Sequence, residues 1–120
     1  MANILIVDDS RTSRRILRAI LEDAGHMIVA ESADGEAGYL NYKELKPDLV
    51  TMDITMPKLD GIESLQLIRK YDDNAKVIMI TAAGQKEKMV QAVKYGAAEF
   101  IAKPYDAEEV VRIVAKTVGN

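Results

Sequence analysis

The chain predicts an α/β fold, a doubly wound open parallel sheet built from five βα units. Short apolar runs alternate five times with stretches whose apolar residues recur at i, i+3 and i+4, the period of a helix face. The first and fourth runs are apolar throughout, and the third is apolar but for Thr51, instead of alternating, as in strands covered by helices on both faces. The 120 residues fall well short of the about 250 that an eightfold barrel takes, so the sheet stays open. Repeated strand–helix order then implies right-handed crossovers and helices on both sides.

The first run is Ile4–Val7. In the helical stretch after it, Ile16, Leu17, Ile20 and Leu21 share one face, while Arg11, Arg14, Arg15 and Arg18 cover the others. These arginines read as a solvated face, with partner docking as the sharper reading. Gly25 fits the left-handed C-terminal position of that helix. The second run, Met27–Ala30, ends in Glu31-Ser32 and is the natural edge strand; Lys46-Pro47-Asp48 closes the helix behind it. The third run is Leu49–Met52, and Asp60 with Glu63 has capping-box spacing before the next apolar periodicity. The fourth is Val77–Ile80, with Gly96 ending its helix, and the fifth is Phe100–Ala102, followed by a second capping-box pair, Asp106 and Glu109. Val110, Ile113, Val114 and Val118 form the core stripe of the last helix, leaving Val111 and Tyr105 for an output surface. With no linker, internal repeat or low-complexity tract, residues 1–120 are expected to form one domain.

Composition narrows the function classes. A chain of this size buries roughly two-thirds of its unfolded surface, enough for a core without staples. Hydrophobic residues make up 48% and charged residues 29%, which excludes a disordered chain. The absence of cysteine excludes disulfides, thiolate metal sites and a thiol nucleophile. Sixteen Lys and Arg against nineteen Asp and Glu give a formal charge of −3, without the general basic footprint of a nucleic-acid binder. No apolar run approaches the ~18 residues of a membrane span. Met1-Ala2-Asn3 leads straight into the first strand with no basic leader, so a cytoplasmic location is expected. The six methionines are scattered, as gap fillers are, and His26, after Gly25 at a turn, reads as an ordinary surface residue.

Open parallel sheets bind ligands outside the carboxyl ends of their strands. The residues that follow the apolar runs there are Asp8-Asp9, Asp53, Thr81 and Lys103. Three carboxylates on one rim repel one another unless a hard cation neutralises them, and Mg²⁺ suits such oxygen ligands. Lys103 and Thr81 are then free for an anion, most simply a tetrahedral phosphoryl group. Central Asp53 is the obvious nucleophile, since a carboxylate can attack phosphorus to form an acyl phosphate. No general base belongs to this set, because His26 precedes the second strand at the other end of the sheet. A long-lived acyl phosphate points to a switch and away from a turnover enzyme.

The set Asp8-Asp9, Asp53, Thr81 and Lys103-Pro104 resembles the receiver domain of two-component response regulators. The match runs from Ile4 to Val118 and includes Met56-Pro57, Asp60-Gly61 and Gly96-Ala97. The resemblance implies a flavodoxin-like, CheY-like (βα)5 sheet of strand order 2-1-3-4-5, an order the general rule for such sheets attaches to this family. It implies that Asp53 is the phosphoacceptor for a kinase phosphohistidine. Asp8, Asp9, Asp53 and the Thr55 backbone carbonyl would hold Mg²⁺, with Mn²⁺ as a substitute. Lys103 and Thr81 would bind the phosphoryl oxygens, Thr81 and Phe100 would form the switch pair, and Lys103-Pro104 would be cis, which an X-Pro bond tolerates. Thr55 and Ala83 match the positions that tune phosphoryl lifetime, and neither is an acid or an amide. Phe100 stands where the family often has Tyr, so no hydroxyl is offered to a partner there.

Asp9-Ser10-Arg11-Thr12-Ser13-Arg14-Arg15 and Met52-Asp53-Ile54-Thr55-Met56-Pro57 resemble the chemotaxis type of receiver. That implies a stand-alone domain with no output domain, catalysing only its own phosphorylation and slow dephosphorylation. It would receive phosphate from a CheA-like histidine kinase and switch the surface of helix 4, strand 5 and helix 5. Its target would be a flagellar motor switch protein or another downstream protein. It would be a monomer, or a dimer once phosphorylated. A phosphorelay intermediate is the alternative. A haloacid-dehalogenase-like phosphatase is disfavoured, because Thr55 stands where its second acid belongs. A flavin carrier is disfavoured because Asp8-Asp9 would repel a flavin phosphate.

Overall fold

A computed structural model describes residues 1–119. The chain opens with β1 (Asn3–Val7), α1 (Arg11–Asp23), β2 (Met27–Ser32) and α2 (Gly35–Leu45). It continues through β3 (Leu49–Asp53), α3 (Gly61–Tyr71), β4 (Val77–Thr81) and α4 (Lys86–Lys94), and closes with β5 (Glu99–Ala102) and α5 (Ala107–Val118). All strand pairs are parallel, in the order β2-β1-β3-β4-β5. This is the fold class and strand order predicted above. No described helix is long and apolar enough to cross a membrane.

Side-chain parity sorts the central strands between two cores. Leu5, Val7, Val50, Met52, Val77 and Met79 face Ile62, Leu65, Ile68 and Ala92 of α3 and α4 and Tyr42 of α2. Ile4, Ile6, Leu49, Ile78 and Ile80 face Leu17 and Leu21 of α1 and Val110, Ile113 and Val114 of α5. Because both faces are apolar, a one-residue slip would offer no polar face to solvent; the helices on each side set the register. β2 lies at the edge, and its pairing with β1 shifts register between Ile4 and Leu5.

Three expectations change. Ile16 is 48% exposed, while Leu17 and Leu21 are buried. Consecutive helical residues point about 100° apart, so Ile16 rotates off a contact stripe only as wide as the sheet it meets. The capping box is complete at Asp60 and Glu63, but at α5 Asp106 accepts from the Glu108 and Glu109 N–H groups and the cap is one-sided. His26 is half-buried, and its Nδ1 accepts from the Ala2 N–H at 3.0 Å. Burial, then the nearby terminal ammonium, lowers its pKa below the usual histidine value.

That contact belongs to a set of ties at the amino ends of the strands. The Asn3 N–H donates to Asp48 Oδ2 at 2.8 Å, and the Tyr42 hydroxyl donates to Asp72 Oδ2 at 2.7 Å. Arg69 Nη1 donates to the Ala75 carbonyl at 3.0 Å.

Thr51, mid-strand in β3, is fully buried, pairs with Ile6 and Ile78, and leaves its hydroxyl without a hydrogen-bond partner. An unpaired buried hydroxyl costs about 1–3 kcal/mol, whereas a methyl of the same shape costs nothing to desolvate. Thr51→Val is therefore expected to stabilise the fold by about 1 kcal/mol, read as a rise in Tm of a few degrees in a thermal melt.

Candidate functional site

The carboxyl ends of β1, β3 and β5 converge on one rim. β1 passes directly into Asp8, which is 2% exposed; the following Asp9 is exposed and Ser10 caps α1. Asp8 is held from three sides. Its N–H donates to the Ser32 carbonyl at 3.0 Å, its Oδ1 accepts from the Ser10 N–H at 2.8 Å, and its carbonyl accepts from Arg14 Nη1 at 2.7 Å. Arg14 also pairs through Nε with Glu31 at 3.0 Å, and Arg18 meets Glu31 at 2.7 Å. Two of the four arginines of α1 thus brace the edge strand, one of them reaching the rim.

Asp53 ends β3 and is 9% exposed. Beyond it the β3–α3 loop folds back so that the Gly61 N–H donates to the Ile54 carbonyl at 2.7 Å. A methyl built on Gly61 would overlap the Asp53 carbonyl oxygen, so only glycine lets α3 start this close to the end of β3. Lys103 follows β5; its N–H donates to the Thr81 carbonyl at 2.8 Å, and the Lys103-Pro104 bond is cis.

Carboxylate oxygens of Asp8, Asp9 and Asp53 lie within 4.8 Å of one another. Lys103 Nζ is 3.0 Å from Asp8 Oδ2 and 3.5 Å from Asp53 Oδ2. Burial and the Asp8 charge push the Asp53 carboxyl up to about 6, against the opposing pull of Lys103. Burial acts upward on Asp8 too, but the Ser13 hydroxyl, the Ser10 N–H and Lys103 together hold it below the usual carboxylate range. Lys103 is raised: burial opposes its charge, and Asp8 and Asp53 more than compensate. The cluster therefore holds an ammonium and closely spaced carboxylates with net negative charge.

A hard divalent cation fits these residues. Asp8 Oδ2 is buried, and the ammonium it meets at 3.0 Å is shared with Asp53, so one cation faces three closely spaced carboxylates. An all-oxygen donor set with one exposed member suits Mg²⁺, which keeps several waters and accepts a few carboxylates.

Thr81 ends β4 and is 6% exposed. Thr55 and Ala83 are exposed, on the β3–α3 and β4–α4 loops. Phe100 is half-buried against the core under α3 and α4. The sequence pattern missed three residues. Arg14 grips the Asp8 carbonyl, Ser13 meets the Tyr105 hydroxyl at 2.9 Å, and Gln85 bridges two loops at the rim. Capping spacing could have flagged Ser13; the other two contacts carry no periodic signal.

Asp53→Asn tests the electrostatics in the metal-free protein. The folded Asp53 pKa lies above its ordinary value of 3.8, so wild-type stability falls as pH rises through about 6, and asparagine escapes that loss. The variant is expected to gain on wild type between pH 4 and 7.5 by on the order of 1–2 kcal/mol in denaturant melts. Mg²⁺ at a hundredfold over its Kd should close that gap, adding about 2.7 kcal/mol to the wild type. Gly61→Ala is expected to destabilise by about 2 kcal/mol or more and weaken Mg²⁺ binding, because the clash lies on backbone that cannot yield; melts with and without Mg²⁺ read both effects.

Comparison with known proteins places this geometry. A family model described as response regulator receiver domain matches residues 4–115. A Bacillus subtilis protein named CcdB is 45% identical over 120 residues, spanning 100% of both chains. The chemotaxis protein CheY of Thermotoga maritima is 44% identical over 113 residues, 94% of each chain. A crystal structure of the CheX-CheY-BeF3-Mg²⁺ complex from Borrelia burgdorferi superposes with a TM-score of 0.93 at 41% identity, covering 98% of this chain and 90% of that one.

Proposed function

The chain belongs to the response regulator receiver domain family, and from that membership we propose that Asp53 accepts a phosphoryl group from a kinase phosphohistidine. The observation that carries this is the convergence of Asp8, Asp9, Asp53 and Lys103 from three strand ends onto one rim, with Asp53 at the end of a central strand.

Asp53 is mostly ionised at neutral pH, since its pKa stands near 6. One carboxylate oxygen forms a bond to phosphorus as the phosphorus–nitrogen bond of the donor breaks. The donor imidazole keeps the electron pair, and the product is an acyl phosphate. Asp8, Asp9, Asp53 and the Thr55 carbonyl would hold Mg²⁺, which would supply positive charge to offset the carboxylates and the phosphoryl group. Lys103, already 3.5 Å from Asp53 Oδ2, offers its ammonium to an oxygen of the arriving group. Thr81, on the neighbouring strand, donates its hydroxyl to another. Phe100 packs further inward as Thr81 moves. Thr55 and Ala83 offer no acid or amide to an attacking water, so the acyl phosphate persists as a signal.

Output runs through protein contact at α4, β5 and α5. α4 exposes Val90 and Val93, and Tyr95 follows at its end, an apolar surface unusual for a solvated helix. The near-complete overlap with CheY supports a chemotaxis role, with a CheA-like kinase as donor and a flagellar motor switch protein as target.

Acetyl phosphate with Mg²⁺ is expected to add one acid-stable, base-labile phosphoryl group, seen by intact-mass spectrometry. Asp53→Asn should abolish it; label surviving that change would sink the assignment. Thr81→Ala should keep Mg²⁺ affinity within about threefold and Lys103→Ala should not weaken it, since the competing ammonium is gone, yet both should lose most of the amide shift response to phosphorylation by NMR.

A further inference from the structure

Four of the five helices are capped by the side chain of their own N-cap residue: Ser10, Asp34, Asp60 and Asp106. α4 is the exception. Its N-cap is Gln85, whose side chain makes no capping bond. The amide is instead stretched between two loops. Gln85 Oε1 accepts from the Ala82 N–H at 2.7 Å, and Gln85 Nε2 donates to Thr55 Oγ1 at 2.9 Å. Ala82 is the residue after Thr81, and Thr55 lies two residues after Asp53. One side chain therefore spans the rim from the β4–α4 loop to the β3–α3 loop.

We propose that Gln85 is a positioning residue for the switch, a latch that holds Thr81 and the start of α4 in the unphosphorylated arrangement. It rests on the function proposed above, because the latch matters only if Asp53 is the phosphoacceptor. The physical reason is geometric. Thr81 cannot shift toward a group on Asp53 without carrying the adjoining Ala82 N–H, and that N–H is bonded to Gln85. Ala82, Ala83 and Gly84 are exposed, with Gly84 at a φ of +83°, so the loop has little packing of its own to hold it. The latch therefore sets part of the energy difference between the two arrangements. It also links a displacement at Thr81 to the first turn of α4. Thr55 enters the switch through its hydroxyl, in addition to the part its backbone carbonyl plays.

Beryllofluoride with Mg²⁺, a non-covalent phosphoryl mimic, tests this by isothermal titration calorimetry. Gln85→Met keeps the length and helix preference of the side chain but removes both hydrogen bonds. It is expected to tighten beryllofluoride binding about three- to tenfold, as expected for surface hydrogen bonds that oppose switching. Thr55→Val should tighten it in the same direction, and the double variant should gain less than the product of the two. In the metal-free protein, hydrogen exchange at the Ala82 N–H should accelerate about tenfold in Gln85→Met, a readout independent of any bound group. Unchanged or weakened binding in Gln85→Met, or strict multiplicativity with Thr55→Val, overturns the latch. Failure of the wild type to bind beryllofluoride would overturn the phosphoacceptor assignment and the latch with it.

Discussion

Everything at the rim follows from like charges held where they repel. Asp8 and Asp53 sit at the ends of adjacent strands and are almost fully buried, with Asp9 beside them. Flexible side chains would swing apart into water; these cannot, because the backbone beneath them is locked on both faces. Lys103 relieves the repulsion only in part, because its one ammonium is shared between Asp8 and Asp53 and the Asp53 carboxyl stays raised. The site is thus poised to gain from any added positive charge and to be reorganised by added negative charge. On the function proposed above, a cation and a phosphoryl group would be those two perturbations.

Holding that strain requires a stiff support, and the two cores provide it. Side chains of β1, β3 and β4 alternate between the α1/α5 face and the α2–α4 face, so neither strand end can retreat without opening a core. The joint between β3 and α3 is tighter still, since Gly61 lies against the Asp53 carbonyl with no room for a methyl group. The repulsion is paid for by packing some distance away, a common arrangement at functional sites.

The sheet and the rim could be read from the chain because both are periodic. An apolar run buried on two faces has one carboxyl end, and the residue that follows it must stand on the rim, as Asp8, Asp53, Thr81 and Lys103 do. Stripe width is not periodic information, so Ile16 looked buried. His26 looked free because its partner is the backbone of Ala2, which carries no side-chain signal. The Ser13–Tyr105 and Gln85–Thr55 contacts join residues 92 and 30 positions apart, through loops whose paths only the folded chain defines. Asp60-Gly61 was recognisable as a motif, but the reason for the glycine appears only once α3 is seen against the end of β3.

The ties among Ala2, His26, Asn3, Asp48, Tyr42 and Asp72 all lie at the end of the sheet opposite the acids. They are short-range contacts that neither a cation nor a phosphoryl group at the far rim would disturb. Mechanically the domain is a clamped beam: one end is pinned, and the load falls on the other. Displacement then grows with distance from the clamp, so a small pull at Asp53 spends itself on the rim loops and the first turns of the helices beside them, leaving the amino ends of the strands still.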